Sequence, residues 1–298
     1  MTNIINFKQY HGNMTELVMP HSVGIINNRM DHMLQNMRQL TNISINIPDN
    51  VTNIAYMCCY CMSLTGNPVC GDKVINMAST YANCYSLTGS PVCGPNVTDM
   101  SYTYSGCSNL TGSPVCGENV KDMSGAYEYC LNLTGNPVCG DNVTTMSGAY
   151  YYCLSLTGSP VCGNNVTNMA RAYLDCKNII GSPVCGNNVT NMMYAYYNCI
   201  NLQGNAYFYS NNVSNVSSCF YQRNASNKLN IYVHNGSTTL NTLLINTKAS
   251  LTGSAITWAN NGTCYYNTTS NIYIYPVSNV AEAYRNNEDQ PQLEGGKD

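Results

Sequence analysis

Thirteen cysteines stand in two columns, and thiols are the reactive side chains that this sequence repeats most regularly. Cys61, Cys84, Cys107, Cys130, Cys153, Cys176 and Cys199 recur every 23 residues, as do Cys70, Cys93, Cys116, Cys139, Cys162 and Cys185. Metal ligation, disulfide pairing and burial as small apolar groups are the chemistries open to them. A metal ion needs four ligands converging on one point, whereas a column offers one thiol of each kind per repeat. The expectation is two structural columns with no metal and no other cofactor. The run "CCYC" at 58–61 holds one Cys-x-x-Cys pair, Cys58 and Cys61, without a second pair or a neighbouring histidine. His11, His21, His32 and His234 lie outside the repeats, with no acid or nucleophile spaced to share a proton with them. The glycines mark turns and make no phosphate loop. No catalytic residue is assigned, and the expected protein is not an enzyme.

The thiols are positioned by a repeat. "LTGSPVCGPNVTDMSYTYSGCSN" from Leu87 is followed by "LTGSPVCGENVKDMSGAYEYCLN" from Leu110 and "LTGNPVCGDNVTTMSGAYYYCLS" from Leu133. Six full units run from 64 to 201, after a degenerate one from Thr41. Such a period predicts stacked units that each contact only their neighbours. Val74, Met77, Tyr81, Cys84 and Leu87, spaced 3, 4, 3 and 3 apart, predict the buried face of a short helix. Asn76, Asp99, Asp122, Asn168 and Asn191 would cap those helices at their N-termini. "LTGSPVCG" is expected to be extended, with the phase set by Ile43, Ile45 and Ile47 in the degenerate unit. That phase turns Gly89, Pro91 and Cys93 inward and Thr88, Ser90 and Val92 outward, and the proline keeps each strand short.

The motif "NVT-x-M-x-x-A-Y-x-x-C-x-x-L" resembles the BspA-type leucine-rich repeats over roughly residues 41 to 206, departing from them in its Tyr and in "GSPVCG". The resemblance implies a right-handed solenoid of strand-turn-helix coils used for adhesion and recognition by bacterial and protist surface proteins and by proteins carried on bacteriophages. The expected fold class is thus an α/β repeat solenoid, with leucine-rich-repeat-like coils, an N-terminal helical cap and a β-rich C-terminal cap. Its parts are an N-terminal segment and capping helix at 1–40, the solenoid at 41–206, the β-rich cap at 207–284 and a polar tail at 285–298. Met30, Met33, Leu34, Met37 and Leu40 set the capping helix. Strands are expected from Leu229, Ala255 and Asn271.

Composition narrows the function. Charged residues are 9%, with 12 Lys and Arg in 298 positions, too few and too scattered for a nucleic-acid partner. No apolar run is long enough to insert in a membrane. The cysteine count, 17, is odd, and the first residues lack the basic and apolar regions of a secretory signal. The expectation is cytoplasmic synthesis and work at a virion or extracellular surface. Sequons at Asn96, Asn142, Asn165 and Asn188 read as part of the repeat's own turn grammar.

Within the units the core positions are fixed and others vary among Tyr, Asn, Ser and Gly, the mix of adaptable binding surfaces. The candidate binding residues are Tyr102, Tyr129, Tyr151, Tyr152, Arg171, Asp175, Tyr194, Tyr197 and Asn198. They would contact a cell-surface glycan or protein, most simply in a bacteriophage fibre or receptor-binding accessory protein. The alternatives are the protomer of an extracellular filament or lattice, a homo-oligomer that stacks edge to edge through its Thr and Ser/Asn ladders, or a glycosylated cell-surface adhesin; in the first of these the ladders are the contact.

Overall fold

The computed structural model describes residues 15–18, 26–44, 47–221, 224–245 and 257–288. Ile45, the start of the strand expected from Ala255, His11, His21 and most of the polar tail lie outside the described residues.

The α/β solenoid expectation is wrong. Among the described residues regular structure is dominated by a mixed five-stranded sheet, with two short helices that leave the fold 7% helical. The repeat segments form turns instead of helices, and the physical reason lies in their backbone hydrogen bonds. Met77, Ser79, Tyr81 and Asn83 donate their N–H groups to the carbonyls of Asp99, Ser101, Thr103 and Ser105 in the next repeat, at 2.7 to 3.0 Å. Thr80 and Cys84 close four-residue turns onto the carbonyls of Met77 and Tyr81, both at 3.0 Å. The third residue of each turn, Ser79 or Asn83, has positive φ, 54° and 61°, where type II turns favour Gly or Asn. Two such turns face Met77, Tyr81, Cys84 and Leu87 inward, so their spacing imitates a helix.

The same ladder repeats from the turns that begin at Met30, so the segment 26–40 is one more coil with a 3-10 turn at Ile26–Asn28, and no capping helix forms. Met30, Leu34, Met37 and Leu40 are its buried residues. Parallel bridges join the coils from Arg29 through Asn53, Asn76, Asp99, Asp122, Thr145, Asn168 and Asn191 to Asn215. The Asn and Asp bridge residues expected to cap helices instead hold bends. For example, Asp122 Oδ1 accepts the N–H of Ser124 at 2.7 Å.

A stack of tyrosines runs through the core. Tyr81, Tyr104, Tyr127, Tyr150, Tyr173 and Tyr196 are fully buried, with neighbouring ring centroids 5.4 to 5.7 Å apart. Each hydroxyl clamps the proline-bearing arm twelve residues earlier. Tyr127 Oη donates to the carbonyl of Val115 at 2.7 Å and accepts its N–H at 3.0 Å. The clamp supplies the backbone partners that a strand would have given, because "LTGSPVCG" forms no strand in these coils.

Flanking elements close the ends. β1 (Glu16–Val18) pairs in parallel with β2 (Asn42–Ser44). β3 (Gly204–Phe208) continues the stack through a parallel bridge from Cys185 to Phe208. It opens the five-stranded sheet, ordered β3-β4-β7-β6-β5, with β4 at Leu229–His234, β5 at Ala259–Asn260, β6 at Tyr265–Asn267 and β7 at Ile272–Val277. β3, β4 and β7 are parallel, and the crossover between β4 and β7 carries α1 (Thr238–Ile245). Alternation puts Ile231, Val233, Ile272 and Ile274 in the core, while Tyr207, Tyr232 and Tyr275 stack on the other face. α2 (Val280–Glu288) covers that face with Tyr284, edge-on to Tyr207.

Candidate functional site

Because the turns place one left-handed residue at each of two positions per coil, the stack carries two columns, exposed at Tyr56, Tyr60, Tyr102, Tyr129 and Arg171. One holds Tyr56, Ser79, Tyr102, Gly125, Gly148, Arg171 and Tyr194, the other Tyr60, Asn83, Gly106, Tyr129, Tyr152, Asp175 and Asn198, all with φ between 54° and 77°. Seven of the nine candidate residues stand here, namely Tyr102, Tyr129, Tyr152, Arg171, Asp175, Tyr194 and Asn198. Tyr151 and Tyr197 directly precede the second column.

The structure brings most of them together. Tyr129 lies 5.0 Å from Tyr151 and 5.3 Å from Tyr152 between centroids, and its hydroxyl donates to that of Tyr151 at 3.2 Å. The Arg171 guanidinium sits 5.9 Å from the Tyr194 centroid, and Tyr194 is 5.8 Å from Tyr197. Asn198 donates from Nδ2 to Asp175 Oδ1 in the coil before. Tyr102 leans over Gly125, where a methyl group would meet its ring at 2.4 Å. One coil further, a methyl on Gly148 would meet nothing within 4 Å. A gap therefore opens between the Tyr102 ring and Arg171.

Glu128 reaches the same place, its Oε2 lying 3.2 Å from the methyl position on Gly125. Burial raises its carboxyl above the usual range, and the Arg171 charge pulls it back. The candidate set omitted Glu128, and also Tyr56, Tyr60, His32 and Tyr221. His32 stacks on Tyr56 at 4.8 Å, and Tyr221 lies 4.8 Å from Tyr197. The signal for Tyr56 was available, since it precedes Tyr102 by two periods in one column.

The cysteine columns sit elsewhere. In the inner one, Cys61, Cys84, Cys107, Cys130, Cys153, Cys176 and Cys199 are buried and their thiols donate to carbonyls of the preceding coil at 2.8 to 3.1 Å. In the outer one, Cys70, Cys93, Cys116, Cys139 and Cys162 are half-buried, each set under the glycine that opens the next coil, and Cys185 is buried. A methyl on Gly117 would come within 2.9 Å of Cys93 Sγ, so the Cys-Gly pair is a packing pair. All seventeen thiols are free, and desolvation pushes Cys93 and Cys162 up to about 12. Among the described residues no three His, Cys, Asp or Glu side chains converge where a metal could bind.

The sequon asparagines are committed to the stack. Asn96, Asn142, Asn165 and Asn188 donate from Nδ2 to carbonyls of the preceding coil at 2.8 to 2.9 Å. No protein-family model matches the chain, and neither a curated protein nor a solved structure does.

Proposed function

We propose that the chain is a non-enzymatic recognition and adhesion scaffold, whose two left-handed columns carry the contact surface for a cell-surface glycan or protein. The observation that carries this reading is the pairing of large side chains with a backbone that disfavours them. A left-handed L-residue costs about 1–2 kcal/mol, and a bulky one at positive φ is rare. The same columns hold glycine at 106, 125 and 148, so the fold accepts the cheaper residue. Strain kept where it is not required is strain kept for function. Tyrosine there offers rigid contact area with few rotatable bonds, flanked by Arg171, Glu128 and Asp175 for polar contacts. The free thiols suit a chain that folds in a reducing compartment, and a bacteriophage fibre or receptor-binding accessory protein joins such folding to an adhesive surface.

Flow cytometry of the labelled protein on a panel of bacterial cells tests the reading. Tyr102→Gly with Tyr129→Gly introduces the residue that neighbouring coils already carry. Cell binding is expected to fall by at least about tenfold, as the loss of two central aromatic contacts would cause, with no loss of melting temperature. Binding equal to that of the unaltered chain, or no binding to any cell type, overturns it.

A further inference from the structure

A second surface runs along the stack on different columns. Asn50, Asn96, Asn119 and Asn142 line a groove of about 770 Å3, together with Thr52 and Thr98. Each side chain spends one hydrogen on the coil before it. Asn119 Nδ2 donates to the Pro95 carbonyl at 2.9 Å, and Thr98 Oγ1 donates to the Ile75 carbonyl at 3.3 Å. At Asn96, Asn119 and Asn142 what faces outward is then an amide oxygen and one N–H, and at the threonines lone pairs, repeated at the coil spacing of about 4.8 Å. Hydroxyl groups, which both donate and accept, match that row.

The ladder is broken at three positions, all in this groove. Lys73 replaces asparagine in its column, while Ile75 and Lys121 replace threonine in theirs. From Asn142 to Thr190 the two columns return to Asn and Thr without interruption. The breaks supply two cations about two coils apart, with an apolar side chain, Ile75, that is 47% exposed in the same coil as Lys73. Among the described residues neither lysine has an ion-pair partner. Asp49 marks the end of the groove away from Lys121.

We propose that this groove binds an extended acidic polysaccharide along the stack. Its hydroxyls meet the Asn and Thr row, its carboxylates meet Lys73 and Lys121, and the C–H face of a sugar ring rests on Ile75. The site is separate from the tyrosine columns and stands or falls without them.

The test uses fluorescence anisotropy with tagged oligogalacturonate and a neutral dextran oligosaccharide of matched length. The fold is preserved by returning each break to the residue of its own column, Lys73→Asn with Lys121→Thr. Saturable binding of oligogalacturonate that weakens with salt is expected, with dextran bound more weakly. The double variant should bind about twofold to thirtyfold more weakly, the sum of two exposed ion pairs. Tyr102→Gly with Tyr129→Gly should leave this affinity unchanged. No saturable binding of oligogalacturonate, equal binding of dextran, or undiminished binding by the lysine variant overturns the proposal. Loss confined to the tyrosine variant would move the glycan to the other surface.

Discussion

Tyrosine rather than phenylalanine fills the aromatic core because its hydroxyl has work that no other atom in the coil can do. Each arm carries a proline and forms no strand, so the N–H and C=O of its valine lack ladder partners, and the ring stack delivers one oxygen that serves both. The exception follows the same rule. Phe220 continues the stack 5.9 Å from Tyr196, and the residue twelve before it is Phe208, whose backbone already lies in β3 between Cys185 and β4. A hydroxyl there would be buried with nothing to bond. Tyr127→Phe is therefore expected to cost about 2 kcal/mol, because it strands two backbone groups of Val115. Guanidinium unfolding measures it. A cost below about 0.5 kcal/mol, the scale of a surface substitution, would show that the clamp contributes nothing.

At the scale of the element, two turns in tandem bury the same residues as a short helix, and the outcome depends on where alternate N–H groups point. Gly148 separates the two accounts. In a helix Gly→Ala gains about 1 kcal/mol, whereas at φ 65° a Cβ costs about 1 kcal/mol even with nothing within 4 Å to strike. Gly148→Ala should accordingly lower the melting temperature, and a rise would restore the helix. This sign explains what could be read from the sequence. The 23-residue register and the inward set Val74, Met77, Tyr81, Cys84 and Leu87 were legible, because burial depends on which residues face in. Strands β4 and β7 were legible from their alternation. The helices were misread because periodicity cannot distinguish i+3 turns that bond to a neighbour from i+4 bonds kept within. Gly106, Gly125 and Gly148, with Asn83 and Asn198, were the warning, being poor helix formers at the third turn position. Most of the candidate face was legible as variable positions, but nothing in one sequence showed that variability and positive φ coincide.

For the molecule as a whole, the thiol columns make stability depend on pH in an unusual place. Nine thiols, those of Cys58, Cys84, Cys107, Cys130, Cys153, Cys176, Cys185, Cys199 and Cys219, are at most 1% exposed, and burial or a neighbouring thiol raises their pKa. A group whose pKa is higher folded than unfolded supports the fold fully below its unfolded value. That support drains as pH climbs toward the folded one. An unfolded cysteine titrates near about 8.5, and each unit of pH beyond it withdraws about 1.4 kcal/mol per thiol. Nine thiols acting together remove on the order of 10 kcal/mol within the first unit, comparable to the whole stability of an ordinary domain. The buried tyrosines, whose pKa values burial also raises, add to the loss at higher pH. Unfolding is expected between about pH 9 and 10, steeply and in one step, and reversibly in the presence of a reductant. Circular dichroism against pH, with the thiols kept reduced, measures the midpoint. One above about pH 11 would mean that neutral thiols are not what the columns require, since the ionised groups would then be tolerated in place.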